Sequence, residues 1–153
     1  MPNTYSQISI QVVFAVKGRN NFITKDFRDR LHEYIAGIIR GNNQKPLAVG
    51  GWKDHVHVFF ALEPHVAISD VVRDIKSESS KWITNNDFVK GKFEWQRSFA
   101  AFSYSRSHRD AVIKYIMNQE EHHRKKTFRE EYFEPLKKFE IEFDEKYVFE
   151  FYD

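Results

Sequence analysis

The sequence predicts an α+β protein with a ferredoxin-like (RRM-like) split βαβ antiparallel sheet and an appended C-terminal helix. Two observations predict this fold. Strand and helix periodicities alternate along the chain in the order β-α-β-β-α-β. No internal repeat, low-complexity stretch or Gly/Ser-rich linker divides the 153 residues, a length typical of one domain. We therefore expect one domain over residues 1–153, in which residues 139–153 form an acidic, aromatic tail.

The first half of the chain predicts two strands around a helix. Residues 5–16 alternate between an apolar and a mixed face, which is typical of a strand. Residues 25–40 have helical periodicity, with Thr24 as the expected N-cap and Gly41 at the end. Residues 46–51 predict a short strand that ends in two glycines.

The second half begins with a compact strand predicted at residues 55–62 and a helix at 67–84, for which Ser69 is the expected cap. Residues 91–104 are predicted to be extended, which completes the four-stranded pattern. Two further helices are then expected, and proline is expected to break or kink the last one because it removes a backbone donor. These helices cover residues 107–123 and residues 127–139, with Pro135 in the second.

Composition limits the possible chemistry. The chain has no cysteine, which excludes disulfides, zinc–thiolate sites and cysteine nucleophiles. The first 20 residues lack a basic segment, and their apolar run is too short and too polar to span a membrane. We therefore expect a cytoplasmic protein with no membrane partner.

Charge is distributed unevenly along the chain. Residues 139–153 hold six acidic residues and one lysine, a formal charge of −5, so the preceding residues carry +7 within a net charge of +2. A basic body with an acidic tail fits a polyanionic partner such as nucleic acid. An ordinary solvated surface followed by a solubilising tail explains the same charges equally well.

Two histidines stand two residues apart on the predicted strand at 55–62. Because side chains alternate across a strand, His55 and His57 point to one face while Val56 points to the other. Two imidazoles about 7 Å apart along a strand can converge on one cation. Imidazole suits Mn, Fe, Co, Ni or Zn, and joins oxygen ligands around Mg. The alternative is a pair of ordinary polar residues on a half-exposed strand.

A tyrosine and a glutamine lie one turn apart on the predicted third helix. Tyr115 and Gln119 are at positions i and i+4, so they share a face. Tyr115 offers a hydroxyl nucleophile that can form a phosphoester, and Gln119 offers an amide oxygen as a third metal ligand. A packed aromatic ring beside a polar neighbour explains the same spacing, and His122 and His123 are further, weaker candidates for metal ligands.

Several segments together resemble one family over roughly residues 5–132. The segments are GWKDHVH at 51–57, DIKS at 74–77, SSKWI at 79–83, YIMNQEEHH at 115–123, KTF at 126–128 and EY at 131–132. They are similar to the single-tyrosine HUH (histidine–hydrophobe–histidine) transposases of the smallest bacterial insertion sequences, the IS200-like transposases.

The resemblance implies a DNA transposase. It implies that Tyr115 is the nucleophile and that His55, His57 and Gln119 bind a divalent metal, Mg²⁺ or Mn²⁺. It further implies a single-stranded DNA substrate with hairpin ends and a covalent 5′-phosphotyrosine intermediate. In this family a homodimer is the working unit, and the tyrosine helix of one subunit can serve the histidines of the other.

Basic residues near these segments are candidates for DNA contacts, which would give salt-dependent affinity without sequence readout. They are Lys76, Lys81, Arg97, Arg106, Arg109, Arg124, Lys125 and Lys126. Three rival functions stay open. One is a non-catalytic nucleic-acid-binding module of the same fold. The others are a metal-dependent hydrolase that activates water, and a transposase that binds but no longer cuts.

Overall fold

Four strands form one antiparallel sheet in the order β2-β3-β1-β4. The structure is a computed structural model that describes residues 4–143 and 148–152. The strands are β1 (Ser9–Ala15), β2 (Lys45–Gly51), β3 (His55–Ala61) and β4 (Ala100–Tyr104). Because this is the strand order of a split βαβ unit, the predicted ferredoxin-like fold is confirmed.

Two long helices cover one face of the sheet. Helices α1 (Lys25–Gly41) and α2 (Ile68–Asn85) bury their apolar stripes against the side chains of β1 and β3 that point to this face. The shared core includes Phe27 of α1, Ile75 of α2 and Phe60 of β3, each fully buried. The apolar stripes buried on this face have the helical periodicity from which both helices were predicted.

Three shorter helices cover the other face. They are α3 (Arg109–Met117), α4 (Gln119–His122) and α5 (Phe128–Lys138). A second apolar cluster joins α3 to β2 and β3 through Ala48, Phe59, Val112 and Ile116. Since both faces of the sheet are covered, every residue of β1 is buried, including the polar ones.

The contact between α3 and β2 is very close at Gly50. A Cβ atom at this position would lie 2.4 Å from the carbonyl oxygen of Ile116 and 2.9 Å from its Cγ2. Neither atom can approach that closely without a shift of α3. A glycine at position 50 is therefore required to seat the helix that carries Tyr115.

Some predicted boundaries were wrong. The first strand starts at Ser9, preceded only by one backbone hydrogen bond from the Leu62 amide to the Ile8 carbonyl, and within residues 91–104 only β4 and one isolated bridge of Val16 with Trp95 form. The N-cap of α2 is Ala67 and not Ser69, because Ile68 already lies inside the helix. Thr24 is the N-cap residue of α1, as predicted, but its hydroxyl contacts the Asp26 carboxylate and caps no backbone amide.

The predicted helix over 107–123 is interrupted. A 3-10 turn at Arg106–His108 precedes α3, and Asn118 (φ −105°, ψ 27°) separates α3 from α4. By contrast, α5 continues through Pro135 without a break. Its start is fixed by a capping box in which Thr127 and Glu130 satisfy each other's backbone amides.

The described part of the tail packs against α5. Phe149 is buried, and the Tyr152 hydroxyl accepts a hydrogen bond of 2.6 Å from the Gly18 amide. Gln96 exchanges two hydrogen bonds with the backbone of Glu150. The predicted tail charges at 144–146 and 153 lie outside the described residues. Among the described residues no helix has both the length and the apolar character needed to cross a membrane.

Candidate active site

The two histidines lie side by side on the face of β3 that α3, α4 and α5 cover. The rings of His55 and His57 are 5.0 Å apart between centroids, and the residues are 0% and 3% exposed. They share a face, as the period-two pattern predicts. Their burial differs from the half-exposed strand of the alternative interpretation, because three helices close over this face.

The tyrosine helix of the same chain reaches these histidines. Gln119 Oε1 lies 3.0 Å from His55 Nε2. The Tyr115 ring packs edge-on against the His57 ring, with centroids 5.8 Å apart. The four residues singled out from the sequence are therefore brought together within one chain.

A fifth residue, Glu131, joins them from α5. One carboxylate oxygen, Oε1, lies 2.5 Å from His57 Nε2 and 3.2 Å from His55 Nε2. Ligand atoms of His55, His57 and Glu131 all lie within 4.8 Å of one another, and all three residues are buried. Sequence reasoning missed Glu131 as a site residue. The usable signal was the Thr127/Glu130 capping box, which fixes the start of α5 and puts Phe128, Glu131 and Tyr132 on its inner face.

His123 extends the cluster on its outer side. Its Nε2 lies 3.1 Å from Gln119 Oε1 and 3.1 Å from Glu131 Oε2, the latter contact without hydrogen-bond geometry. Its ring is parallel to that of Trp52, with centroids 5.9 Å apart. His123 thus bridges the two side chains that α4 and α5 contribute, whereas the His122 ring packs on Tyr115 at 4.4 Å.

The Nδ1 atom of each strand histidine lies within hydrogen-bond distance of a neighbouring side chain. Asp54 Oδ1 lies 2.7 Å from His55 Nδ1, and Gln11 Nε2 lies 2.9 Å from His57 Nδ1. Phe128 stacks on the His55 ring with centroids 3.9 Å apart and planes within 1°. Because these hydrogen bonds at Nδ1 orient the two rings, both Nε2 atoms point to Glu131 and the centre of the cluster.

The charges of the cluster depend on each other. Burial opposes ionisation of Glu131, yet the charge of His57 and close contacts with His123 and His55 hold its pKa well below the usual range. Burial also opposes a charge on His55, but the hydrogen bond with Asp54 and the ion-pair contact with Glu131 outweigh it and raise its pKa to about 9. The pKa of His57 is lowered, chiefly by burial.

The tyrosine hydroxyl is strongly held in its protonated form. Burial, followed by the nearby charge of Glu131, raises the pKa of Tyr115 well above its usual range. Glu131 and Gln119 are the nearby polar side chains that act on this pKa in opposite directions, Glu131 raising it and Gln119 lowering it. The carboxylate of Glu131 is therefore a basic group close to the phenol.

The set of side chains fits a divalent cation. Two imidazole nitrogens, a carboxylate and an amide oxygen converge on one buried point, a mixed nitrogen and oxygen set typical of Mn²⁺, Fe²⁺, Co²⁺ or Zn²⁺. The amide nitrogen of Gln119 is buried with no hydrogen-bond partner among residues 4–143 and 148–152. Its oxygen, by contrast, faces His55, so the amide is oriented as a ligand would be.

The predicted DNA-contact residues occupy different surroundings. Lys76 donates three hydrogen bonds to the carbonyls of Gln96, Arg97 and Ser98, and Arg109 donates one to Ser9 Oγ. Two form ion pairs, Arg124 with Glu121 and Lys126 with Glu134. The exposed remainder is Lys81, Arg97, Arg106 and Lys125.

A basic groove lies at one edge of the α1–α2 face. It encloses about 830 Å³ between α2 and the segment at 92–99. Its basic lining residues are Lys17, Arg73, Lys76, Lys92 and Arg97, and Phe93, Trp95 and Phe99 lie between them. Two of the eight predicted DNA contacts therefore share a groove of cations and aromatic rings.

The chain resembles transposases in sequence and in fold. A family model described as "Transposase IS200 like" matches residues 4–119. The ISDra2 transposase TnpA of Deinococcus radiodurans is 24% identical over 118 residues, which are 74% of this chain and 84% of that protein. A crystal structure from Deinococcus radiodurans R1, assigned as a transposase, has a TM-score of 0.61 at 21% identity and covers 78% of this chain and 95% of its own.

A second solved structure is that of a REP-associated tyrosine transposase bound to a REP hairpin. It has a TM-score of 0.54 at 16% identity, over 77% of this chain and 70% of that one. At these identities the two structures establish the shared fold. The match of the family model, which spans most of the chain, concerns the sequence itself.

Proposed function

Because this chain belongs to the IS200-like transposase family, whose model matches residues 4–119, we propose that it cleaves and rejoins single-stranded DNA at insertion-sequence ends. In this proposal Tyr115 forms a covalent 5′-phosphotyrosine, and a divalent metal, Mg²⁺ or Mn²⁺, assists. One observation carries the proposal: Tyr115 meets His55, His57 and Gln119 around a single buried point of one chain.

Each residue of the cluster has a proposed role. His55, His57, Gln119 and Glu131 hold the metal, which when bound withdraws charge from the scissile phosphate. The Tyr115 oxygen attacks phosphorus as the bond from phosphorus to the 3′ oxygen breaks, so the enzyme keeps the 5′-phosphate and releases a 3′-hydroxyl. Glu131, the carboxylate close to the phenol, accepts its proton.

Strand joining reverses the roles of the two oxygens, so that a 3′-hydroxyl is the nucleophile and the Tyr115 oxygen is the leaving group. A second 3′-hydroxyl attacks the phosphotyrosine and releases the Tyr115 oxygen. One phosphoester replaces another, so no nucleotide is hydrolysed, and the sequence contains no phosphate-binding G-x-x-x-x-G-K-[ST] loop. The basic groove and the exposed cations near α3 would contact the backbone of the DNA.

Substrate and assembly are part of the same proposal. By analogy with the hairpin-bound neighbour, the substrate is single-stranded DNA with hairpin ends, in the cytoplasm. The homodimer with shared active sites stays a prediction. In the structure Tyr115 and Gln119 contact the histidines of their own chain, so we propose that a single chain suffices to form the cluster.

A covalent-adduct assay tests the proposal. The full chain is incubated with Mg²⁺ or Mn²⁺ and end-labelled oligonucleotides that carry a hairpin between randomised single-stranded flanks, then denatured. We expect a covalent protein–DNA adduct that Tyr115→Phe abolishes. Tyr34→Phe is the matched control, because Tyr34 is a partly exposed residue of α1 on the opposite face of the sheet, and it should keep the adduct.

The rival functions predict different results. Cleavage that persists in Tyr115→Phe would indicate a hydrolase that uses water. Hairpin binding without cleavage by the wild-type protein would indicate a binding module or a transposase that no longer cuts. His57→Ala should lose cleavage and retain hairpin binding at matched salt; an equal loss of both would mean that His57 is purely structural.

A further inference from the structure

A cavity of about 480 Å³ opens beside Tyr115. It lies between the sheet and the helices α3 and α5, and six phenylalanine and tyrosine rings line it. These rings are Phe102, Tyr104, Tyr115, Phe128, Tyr132 and Phe139. His57 and Glu131 border the same cavity, so it continues directly from the candidate metal cluster.

We propose that this cavity, called the base pocket, binds one unstacked nucleobase of a nucleotide next to the scissile phosphate. The inference rests on the proposed function, because it assumes that the phosphate is held at Tyr115. A base is one sugar away from its phosphate, and the pocket begins at the residues that would hold that phosphate. Its volume is within the range of pockets that enclose ligands of nucleotide size.

Aromatic walls suit an unstacked base. A base removed from its stack loses contacts with its neighbours, and protein rings replace them because every base has a π-face. Phe139 lies at the rim, where it stacks on Phe102 at 5.6 Å and meets Tyr104 edge-on at 6.1 Å. At 41% exposure, Phe139 leaves a large part of its ring open to a ligand.

A polar group at the inner wall can read the base edge. Gln11 accepts a hydrogen bond of 3.1 Å from the Tyr104 hydroxyl, and its nitrogen lies 2.9 Å from His57 Nδ1. A primary amide can make four hydrogen bonds, and the described residues supply two of them. One donor and one acceptor of Gln11 therefore stay available to a base, the pattern with which glutamine pairs to nucleobases.

Nucleotide titrations test the base pocket without a known target sequence. The four deoxynucleoside 5′-monophosphates and 2-deoxyribose 5-phosphate, which lacks a base, are titrated into the full chain with Mg²⁺ and followed by ligand-observed NMR. We expect at least one nucleotide to bind about tenfold more tightly than the sugar phosphate, the factor expected for stacking of one base.

Two phenylalanines that follow α5 in the chain provide a matched pair of variants. Phe139→Ala should remove most of the preference for the nucleotide. Phe143→Ala should keep it, because Phe143 is 39% exposed and packs on Phe133 away from the base pocket. Phe102→Leu removes the ring on which Phe139 stacks, and it should also remove the preference while leaving the sugar phosphate bound.

Three outcomes would overturn the proposal: equal binding of nucleotides and sugar phosphate, a preference that survives in both Phe139→Ala and Phe102→Leu, or no measurable nucleotide binding. None of them depends on cleavage. A missing Tyr115-dependent adduct would instead refute the proposed transposase chemistry, so the two failures are distinguishable.

Discussion

At the scale of single residues, the candidate metal site depends on what lies behind the two strand histidines. Asp54 holds His55 Nδ1 at 2.7 Å, and Gln11 holds His57 Nδ1 at 2.9 Å. The two partners differ in kind. A carboxylate fixes the proton on Nδ1 and makes the opposite nitrogen more basic, whereas an amide can present either its nitrogen or its oxygen. His55 should therefore be the stronger ligand of the pair.

The carboxylate of Asp54 should contribute to metal affinity. Asp54→Asn keeps the shape and one acceptor oxygen but removes the charge, so we expect Mn²⁺ to bind about tenfold more weakly. Calorimetric titration of the metal-free protein measures this directly. Asp70→Asn is the control, since Asp70 is an exposed residue of α2 that pairs with Arg73, and it should leave the affinity unchanged. Equal affinity in wild type and Asp54→Asn would mean that Asp54 does not support His55.

A half-buried histidine on α1 should make folding sensitive to acid. His32 Nε2 is buried without a hydrogen-bond partner among the described residues, and burial lowers the pKa of His32 to about 4. The unfolded chain, with a pKa near 6.5, therefore binds the proton more tightly. Stability is fully present above about pH 6.5 and is lost as the pH falls towards 4.

The size of this effect can be measured by urea unfolding in EDTA at pH 7 and pH 5. Between these values we expect His32 to account for about 1–2 kcal/mol of lost stability. His32→Gln should lose correspondingly less stability between the two pH values. The exposed His65 can be changed to Gln as a control, which should lose as much as the wild type. A His32→Gln variant that loses as much stability as the wild type would contradict the assignment to His32.

At the scale of elements, the position of α3 determines whether Tyr115 and Gln119 reach the histidines. Helix α3 approaches β2 so closely at Gly50 that a single methyl group would meet the backbone of Ile116. The break at Asn118 then turns α4, so that Gln119 points at His55. The close contact at Gly50 and the break at Asn118 act together. If α3 were displaced at Ile116, the side chains of Tyr115 and Gln119 would both move with it.

Gly50→Ala should therefore impair both stability and the site. We expect the free energy of unfolding to fall by about 1–3 kcal/mol, as for other overpacked cores, and adduct formation to fall further than stability explains. Gly37→Ala is the matched control. Its new methyl group would meet none of the described atoms within 4 Å, and alanine in mid-helix should raise stability by about 0.5–1 kcal/mol. A fully active, equally stable Gly50→Ala variant would show that α3 can shift without consequence.

Periodicity predicted those elements whose burial follows a regular pattern. The strands, α1 and α2 have regular apolar spacing, which located them to within a few residues, apart from the starts of β1 and β4. The convergence of His55 with His57 followed from the same period of two. The break at Asn118 did not, because it depends on tertiary packing of α4 that no local spacing encodes.

Glu131 escaped prediction for a related reason. Residues 120–134 contain several acidic side chains, and spacing alone does not distinguish the one that turns inward. Only the packing of α5 on the sheet selects Glu131, by burying it beside His55 and His57. Long-range packing therefore completes a site of which sequence patterns located the other four members.

At the scale of the whole molecule, the tail reaches the site through a stack of rings. Phe149 packs on Tyr132 at 4.7 Å and on Phe128 at 5.8 Å, and Phe128 stacks in turn on His55 at 3.9 Å. From the sequence this tail is a source of negative charge. In the structure its described part also closes the hydrophobic core behind α5, which assigns a packing role to residues of unexplained function.

Phe149→Ala should consequently weaken metal binding from a distance. Removal of a buried phenylalanine leaves a cavity that costs about 3–5 kcal/mol, and α5 then loses the support that holds Phe128 and Glu131 against the histidines. We expect a lower melting temperature. We also expect a several-fold loss of Mn²⁺ affinity when affinity is measured at temperatures at which the variant is still folded. Phe143→Ala, which removes a partly exposed ring of the same tail, should change neither quantity much. If Phe149→Ala lowers stability but leaves Mn²⁺ affinity intact, the tail supports the fold alone, and the position of Glu131 does not depend on it.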